Sequence, residues 1–146
     1  MKNILLFVTI LGITQMGCKK SNLTDPRPTS LDGKWKMITV KDNAIGLTTT
    51  KPTSIQRDVD ITFTSTSSTT GTFIGNTPSN EIWQNDYIIG SNQSMSIPRL
   101  SMTKVGETPW GNTFLDNIRS SLKYSFESGG RLDIITISKT LIFYRQ

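Results

Sequence analysis

Few side chains in this sequence are of a type that does chemistry, and most of those stand apart from one another. Asp58 and Asp60 are separated by one residue. On an extended chain that places both carboxylates on one face, close enough to share a cation or to work as an acid–base pair. The same spacing, with Val59, Ile61 and Phe63 between and after them, also describes a strand with one wetted face. Asn80, between Ser79 and Glu81, offers an amide to a ligand or to the backbone of a tight turn. Trp83 and Trp110 fall in segments that read as loops. An indole there stacks on a sugar, enters lipid, or covers the end of a β fold. Asn80, Trp83 and Trp110 are therefore the candidate ligand-binding residues. The chain has one cysteine, Cys18, and no histidine. Intrachain disulfides, Cys/His zinc clusters and His-activated nucleophiles are thereby excluded. No catalytic residue, metal site or cofactor is assigned.

Cys18 follows an address-like segment. Met1-Lys2-Asn3 is a short basic start, and Ile4–Ile13 is an apolar run. That run has the length of a signal-peptide core and falls short of the ~20 residues needed to span a bilayer. Gly17 stands directly before Cys18, and Lys19-Lys20-Ser21 follow. This arrangement resembles the lipobox of bacterial lipoproteins, with Gln15 where that pattern usually has Leu; Cys-Lys-Lys-Ser looks like the relaxed form found in Bacteroidota. The resemblance implies cleavage after residue 17 and a diacylglycerol on Cys18. Two or more acyl chains give a stable anchor, at about 0.8 kcal/mol per buried methylene. The two lysines would then sit against anionic head groups. The division expected is a signal peptide over 1–17, a lipidated cysteine and polar tether over 18–30, stiffened by Pro26 and Pro28, and one domain over 31–146.

That domain is rich in Thr, Ser, Gly and Asn, which favours strands and turns. Gly33–Lys41 reads as a first strand, with Trp35 and Met37 on its inner face. Asp42–Ser54 reads as a loop. Arg57–Thr64 alternates cleanly as a half-buried strand, and a short strand is expected at 72–74. Gly75–Asp86 reads as a loop holding Trp83. Tyr87–Ile89 and Ser94–Met102 form a strand pair, with Pro98 marking an edge or a bulge. Thr108 can cap a helix, and Pro109 fits its first position. Phe114, Leu115, Ile118 and Leu122 then form one apolar stripe. Lys123–Glu127, Arg131–Ile137 and Thr140–Arg145 close the domain as a meander, its first turn set by Ser128-Gly129-Gly130. The fold class expected is mainly β: an antiparallel, barrel-like meander of about eight strands with one amphipathic helix packed on it. The net charge of +5 comes without a dense basic run, so no nucleic-acid partner is indicated.

From Leu31 onward the sequence resembles the META domain family of HslJ-like proteins. The entry matches at Gly33-Lys34-Trp35. The central signature is similar to Gly75, Ser79-Asn80, Ile82-Trp83 and Tyr87. Thr103 followed by Glu107 resembles a Thr followed four residues later by Cys. The exit matches at Phe114-Leu115, Ile118, Leu122, Tyr124, Gly129-Gly130, Leu132 and Ile134. Both cysteines of the family pattern are absent, their places taken by Ser79 and Glu107. The resemblance implies a compact barrel-like domain in the cell envelope, associated with heat stress and novobiocin resistance, without an established enzymatic activity. Gly33-x-Trp35 heading a meander also resembles lipocalin-like lipoproteins, whose barrels enclose a small apolar ligand. The function expected is that of a non-enzymatic, lipid-anchored envelope protein, at the outer membrane through Cys18, serving envelope maintenance or stress tolerance by contact with an envelope protein. The alternative is a lipocalin-like carrier of a small apolar ligand.

Overall fold

The computed structural model describes residues 27–146; Cys18, the apolar run before it, and the tether as far as Pro26 lie outside the described residues. The strands are β1 (Gly33–Asp42), β2 (Thr48–Thr50), β3 (Val59–Ser65), β4 (Thr70–Asn76), β5 (Glu81–Ile89), β6 (Met95–Ser96), β7 (Ser121–Glu127), β8 (Arg131–Thr136) and β9 (Lys139–Arg145), and the helix is α1 (Pro109–Ile118). Every pairing is antiparallel, in the order β6-β5-β4-β3-β1-β9-β8-β7, with β2 as an extra partner of β1. A bridge between Ser94 and Lys123 brings the two edges together. The result is a nearly closed barrel of eight strands with one helix, as the alternation of side chains predicts.

The alternation decides which residues go inside. Trp35 and Met37, Ile61 and Phe63, Leu132 and Ile134, and Leu141 and Phe143 are fully buried. Their neighbours Lys34, Lys36, Asp60 and Thr62 face outward. Each fully buried large side chain contributes roughly 1.5–3 kcal/mol by leaving water. Aromatic rings fill much of the interior. Phe63 meets Phe73 at 5.5 Å and the edge of Tyr87 at 5.2 Å, and Phe114 meets Phe143 at 6.4 Å.

Side chains pack across both ends of the barrel among the described residues. Where β1 begins, the Arg145 guanidinium lies 5.6 Å from the centre of the Trp35 ring and donates to the Asp32 carbonyl at 2.8 Å. Trp35 stacks on Phe126 there, and its indole N–H donates to the Leu31 carbonyl at 2.6 Å. Packing at this end starts earlier than the tether reading suggests, because Pro28 is already buried. At the opposite end lies α1, whose Trp110, Phe114 and Ile118 enter the core. Thr108 caps the helix by accepting from the Gly111 N–H at 3.1 Å, and Pro109 occupies its first turn. Asn117 ties the helix to the β8–β9 turn, accepting from the Ser138 hydroxyl at 2.8 Å.

Five local readings differ from the structure. The strand expected over 94–102 is only β6 (Met95–Ser96), with Met102 making a single bridge to Ile82. The loop expected over 42–54 contains β2, which pairs with β1 beyond a bulge at Ile38. The loop expected over 75–86 is mostly strand. Its alternation is hidden by a register shift between Phe73 and Gly75, so that Ile82, Asn85 and Tyr87 all point inward. Trp83 therefore sits on β5 rather than in a loop. Trp110 is likewise not in a loop but on α1, 4% exposed. The helix stops at Ile118, so Leu122 leaves the expected apolar stripe and stands 52% exposed on β7.

Candidate functional site

The segment joining β6 to α1 runs back along β5. Trp83 N–H donates to the Ser101 carbonyl and Thr103 N–H to the Glu81 carbonyl, both at 3.0 Å. Pro98 has no N–H for such a ladder. The Asn85 amide substitutes for part of it, accepting from Ser101 N–H at 2.5 Å and donating to the Ser101 carbonyl at 3.1 Å. This edge brings the β4–β5 turn against the start of α1.

Asn80 lies at that junction, 1% exposed. Its amide oxygen accepts from Val105 N–H at 2.8 Å and from the Thr103 hydroxyl at 3.1 Å. Its amide nitrogen donates to the Val105 carbonyl at 3.0 Å and to Glu107 Oε2 at 2.9 Å. Glu107 Oε2 also accepts from the Thr77 hydroxyl, and Oε1 accepts from Thr108 N–H at 2.8 Å. Burial pushes the Glu107 carboxyl up, but hydrogen bonds from Thr77, Asn80, Thr108 and Ser79 outweigh it and hold the group below its ordinary value. Ser79 and Glu107 are thus drawn into one polar cluster. All four hydrogen-bonding positions of the Asn80 amide are occupied by the protein, so this residue acts as a clamp between turn and helix. Sequence reasoning picked out Asn80 and missed Glu107 as its partner; a carboxylate directly before a Thr-Pro helix start was the available signal.

Asp58 and Asp60 share the outer face of the β3 region with lysines. Lys36 lies 2.8 Å from Asp58, Lys51 also pairs with Asp58, and Lys34 lies 3.6 Å from Asp60. Burial raises the Asp58 carboxyl, yet the hydrogen bonds from Lys36 and Lys51 prevail and keep it below the usual range. Asp58 therefore stays ionised at neutral pH and is spoken for by two ammonium groups.

Three clefts involve the candidate tryptophans; the smallest, of about 160 Å³, lies between Leu47, Lys139 and Trp110. The first, of about 440 Å³, crosses the outer faces of β1, β3, β4 and β5. Trp83 and Ile74 project from its wall, 55% and 51% exposed. Lys34, Arg57, Asp60 and Glu81 surround them. Asp60 Oδ1 is buried without a hydrogen-bond partner among the described residues. The second cleft, of about 350 Å³, lies at the helix end between Thr49, Pro52 and Ile55 on one side and Pro109, Trp110 and Thr113 on the other. Its lining is mainly apolar, but Trp110 itself is packed into the core, and its indole nitrogen is buried and unpaired among the described residues.

Comparison with protein-family models, curated proteins and solved structures found no match to this chain.

Proposed function

We propose that this chain is a non-enzymatic, lipid-anchored protein of the cell envelope, with a META-like β domain that works through its outer surface. The observation that supports this reading is the filled interior. Trp35, Phe63, Phe73, Tyr87, Phe114 and Phe143 occupy the space that a carrier barrel would give to its cargo. Arg145 over Trp35 blocks one end, and α1 blocks the other. The META-like reading draws further support from the meeting of Ser79, Asn80 and Glu107 at one junction. The anchor rests on the sequence: a basic start, an apolar run too short to span a bilayer, and Gly17-Cys18. Placement at the outer membrane, and a role in envelope maintenance or stress tolerance through an envelope protein partner, follow from the resemblance.

The anchor is tested by Cys18→Ala in the native host. The expected result is loss of membrane retention and of labelling by an alkyne palmitate analogue. Unchanged labelling would refute the anchor.

A second reading is favoured by one feature, the apolar cleft beside Trp110. A small apolar ligand held there would make the protein a carrier that loads on its surface. Saturable binding of N-phenylnaphthylamine, removed by Thr113→Arg in a protein that melts as wild type does, would favour that reading over the first.

A further inference from the structure

The groove around Trp83 has the composition of a recognition site rather than of a solvated barrel wall. Its volume, about 440 Å³, lies in the range of small-molecule sites, about 300–1,000 Å³. Trp83 is the one tryptophan among the described residues that is exposed; Trp35 and Trp110 are buried. The face of an indole is electron-rich and packs against weakly positive C–H groups. Around it the charges balance: Lys34 and Arg57 against Asp60 and Glu81. Lys34 is turned toward Asp60 at 3.6 Å. Arg57 and Glu81 form no ion pair among the described residues, and both are exposed. Thr62 also lines the groove. Asp60 Oδ1 is buried without a partner among the described residues.

We propose that this groove binds a neutral oligosaccharide, with one sugar ring stacked on Trp83 and its hydroxyls hydrogen-bonded to Arg57, Glu81 and Thr62. Equal numbers of cations and carboxylates give no net attraction for a phosphate or another polyanion. They do supply donors and acceptors side by side, which is what a polyhydroxylated ligand needs. The apolar part of the surface is limited to Trp83 and Ile74, interleaved with charges. A standard protein interface covers about 800 Å² on each partner and has a core depleted of charge, so a second copy of this chain fits poorly. Trp83 also lies on the flank of the barrel, within β5 (Glu81–Ile89), not at a tip that would enter a bilayer. The proposal rests on the reading that the outer surface is the working one, and it is independent of the anchor.

The test uses the full chain in lauryldimethylamine oxide micelles, a detergent without a sugar head group. Linear tetrasaccharides of glucose and of N-acetylglucosamine are titrated, with tryptophan fluorescence and calorimetry as readouts. Binding of at least one of them is expected, with affinity reduced about tenfold or more by Trp83→Ala and largely kept by Trp83→Phe. Glu81→Gln and Arg57→Ala are expected to weaken binding several-fold, and Trp110→Phe to leave it unchanged. Because Trp83 is exposed, the Trp83→Ala protein should melt as wild type does, which keeps a loss of binding interpretable. No binding of either sugar up to about 10 mM, or binding that ignores Trp83→Ala, would overturn the proposal. So would a Trp83-dependent dimer in sedimentation, or Trp83-dependent association with phosphatidylglycerol vesicles. Since Cys18 is intact throughout, none of these results bears on whether it is lipidated.

Discussion

At Glu107 burial and hydrogen bonding act in opposite directions on the same carboxyl, and hydrogen bonding prevails. A carboxyl whose folded pKa lies below its unfolded value adds stability above the unfolded value, and that contribution disappears as pH falls through the folded one. The expected outcome is a melting temperature that drops as pH is lowered below about 4, the ordinary range of a glutamate. Glu107→Gln should be less stable than wild type at pH 7 by about 1–3 kcal/mol, and melt lower, because a donor amide cannot satisfy Thr77, Asn80 and Thr108 together. The same variant should show a shallower loss in acid; an acid slope equal to that of wild type would show that the carboxylate is not the titrating group. Asn80 was legible in the sequence as a turn residue, since a lone Asn among Ser, Pro and Glu has few other uses. Glu107 was not, because its partner is 27 residues away and no local pattern encodes a contact across that distance. The exposure of Trp83 was hidden for another reason: the register shift in β4–β5 removed the alternation that would have assigned it a face.

Among the elements, α1 and the β3–β4 pair show how closely the parts are fitted. Ile118 is fully buried where the helix gives way to β7. Ile118→Asp places an unpaired charge in that core and is expected to abolish cooperative unfolding in thermal denaturation. Ile118→Val removes one methylene and should cost about 0.5–1.5 kcal/mol while keeping the transition sharp. A sharp melt at the wild-type temperature for the aspartate variant would mean that the helix does not pack as described. In β4 a β-carbon on Gly75 would lie 2.1 Å from the Asp60 carbonyl oxygen, so the two strands approach as they do only because residue 75 has none. Gly75→Ala should destabilise by about 1–3 kcal/mol through displacement of β3 from β4, measurable as a shift in the denaturant midpoint. The helix was readable from Thr108-Pro109 and the Phe114–Ile118 spacing, and the strands were readable wherever alternation was unbroken. The end of the helix was misplaced because Leu122 continues the helical spacing by coincidence. β2 was missed because three consecutive threonines carry no alternation, and their strand state comes from pairing with β1.

For the whole molecule, eight strands joined in sequence order leave one long-range closure in the middle of the sheet, β1 against β9. That pairing carries the first described strand and the last one side by side, and it decides where the ends of the chain emerge. Leu31–Asp32 enters beside the point at which Arg145 leaves, and the Gln146 N–H still donates to the Lys34 carbonyl at 2.9 Å. A barrel of about this kind was legible from composition and periodicity. Its filling was not, because inward-facing positions read the same whether they line a cavity or meet across it. Six large aromatic rings stand among the inward side chains here, and they support the filled case.

The adjacency of the two ends has a practical bearing on any attempt to display or track the protein. Under the proposed anchoring, a fluorescent protein fused after Gln146 would share the end of the barrel at which Leu31–Asp32 enters. An epitope inserted at Ile45–Gly46, in the exposed turn at the far end, would instead face away from it, and antibody access to the two sites on intact cells would report which way the barrel stands.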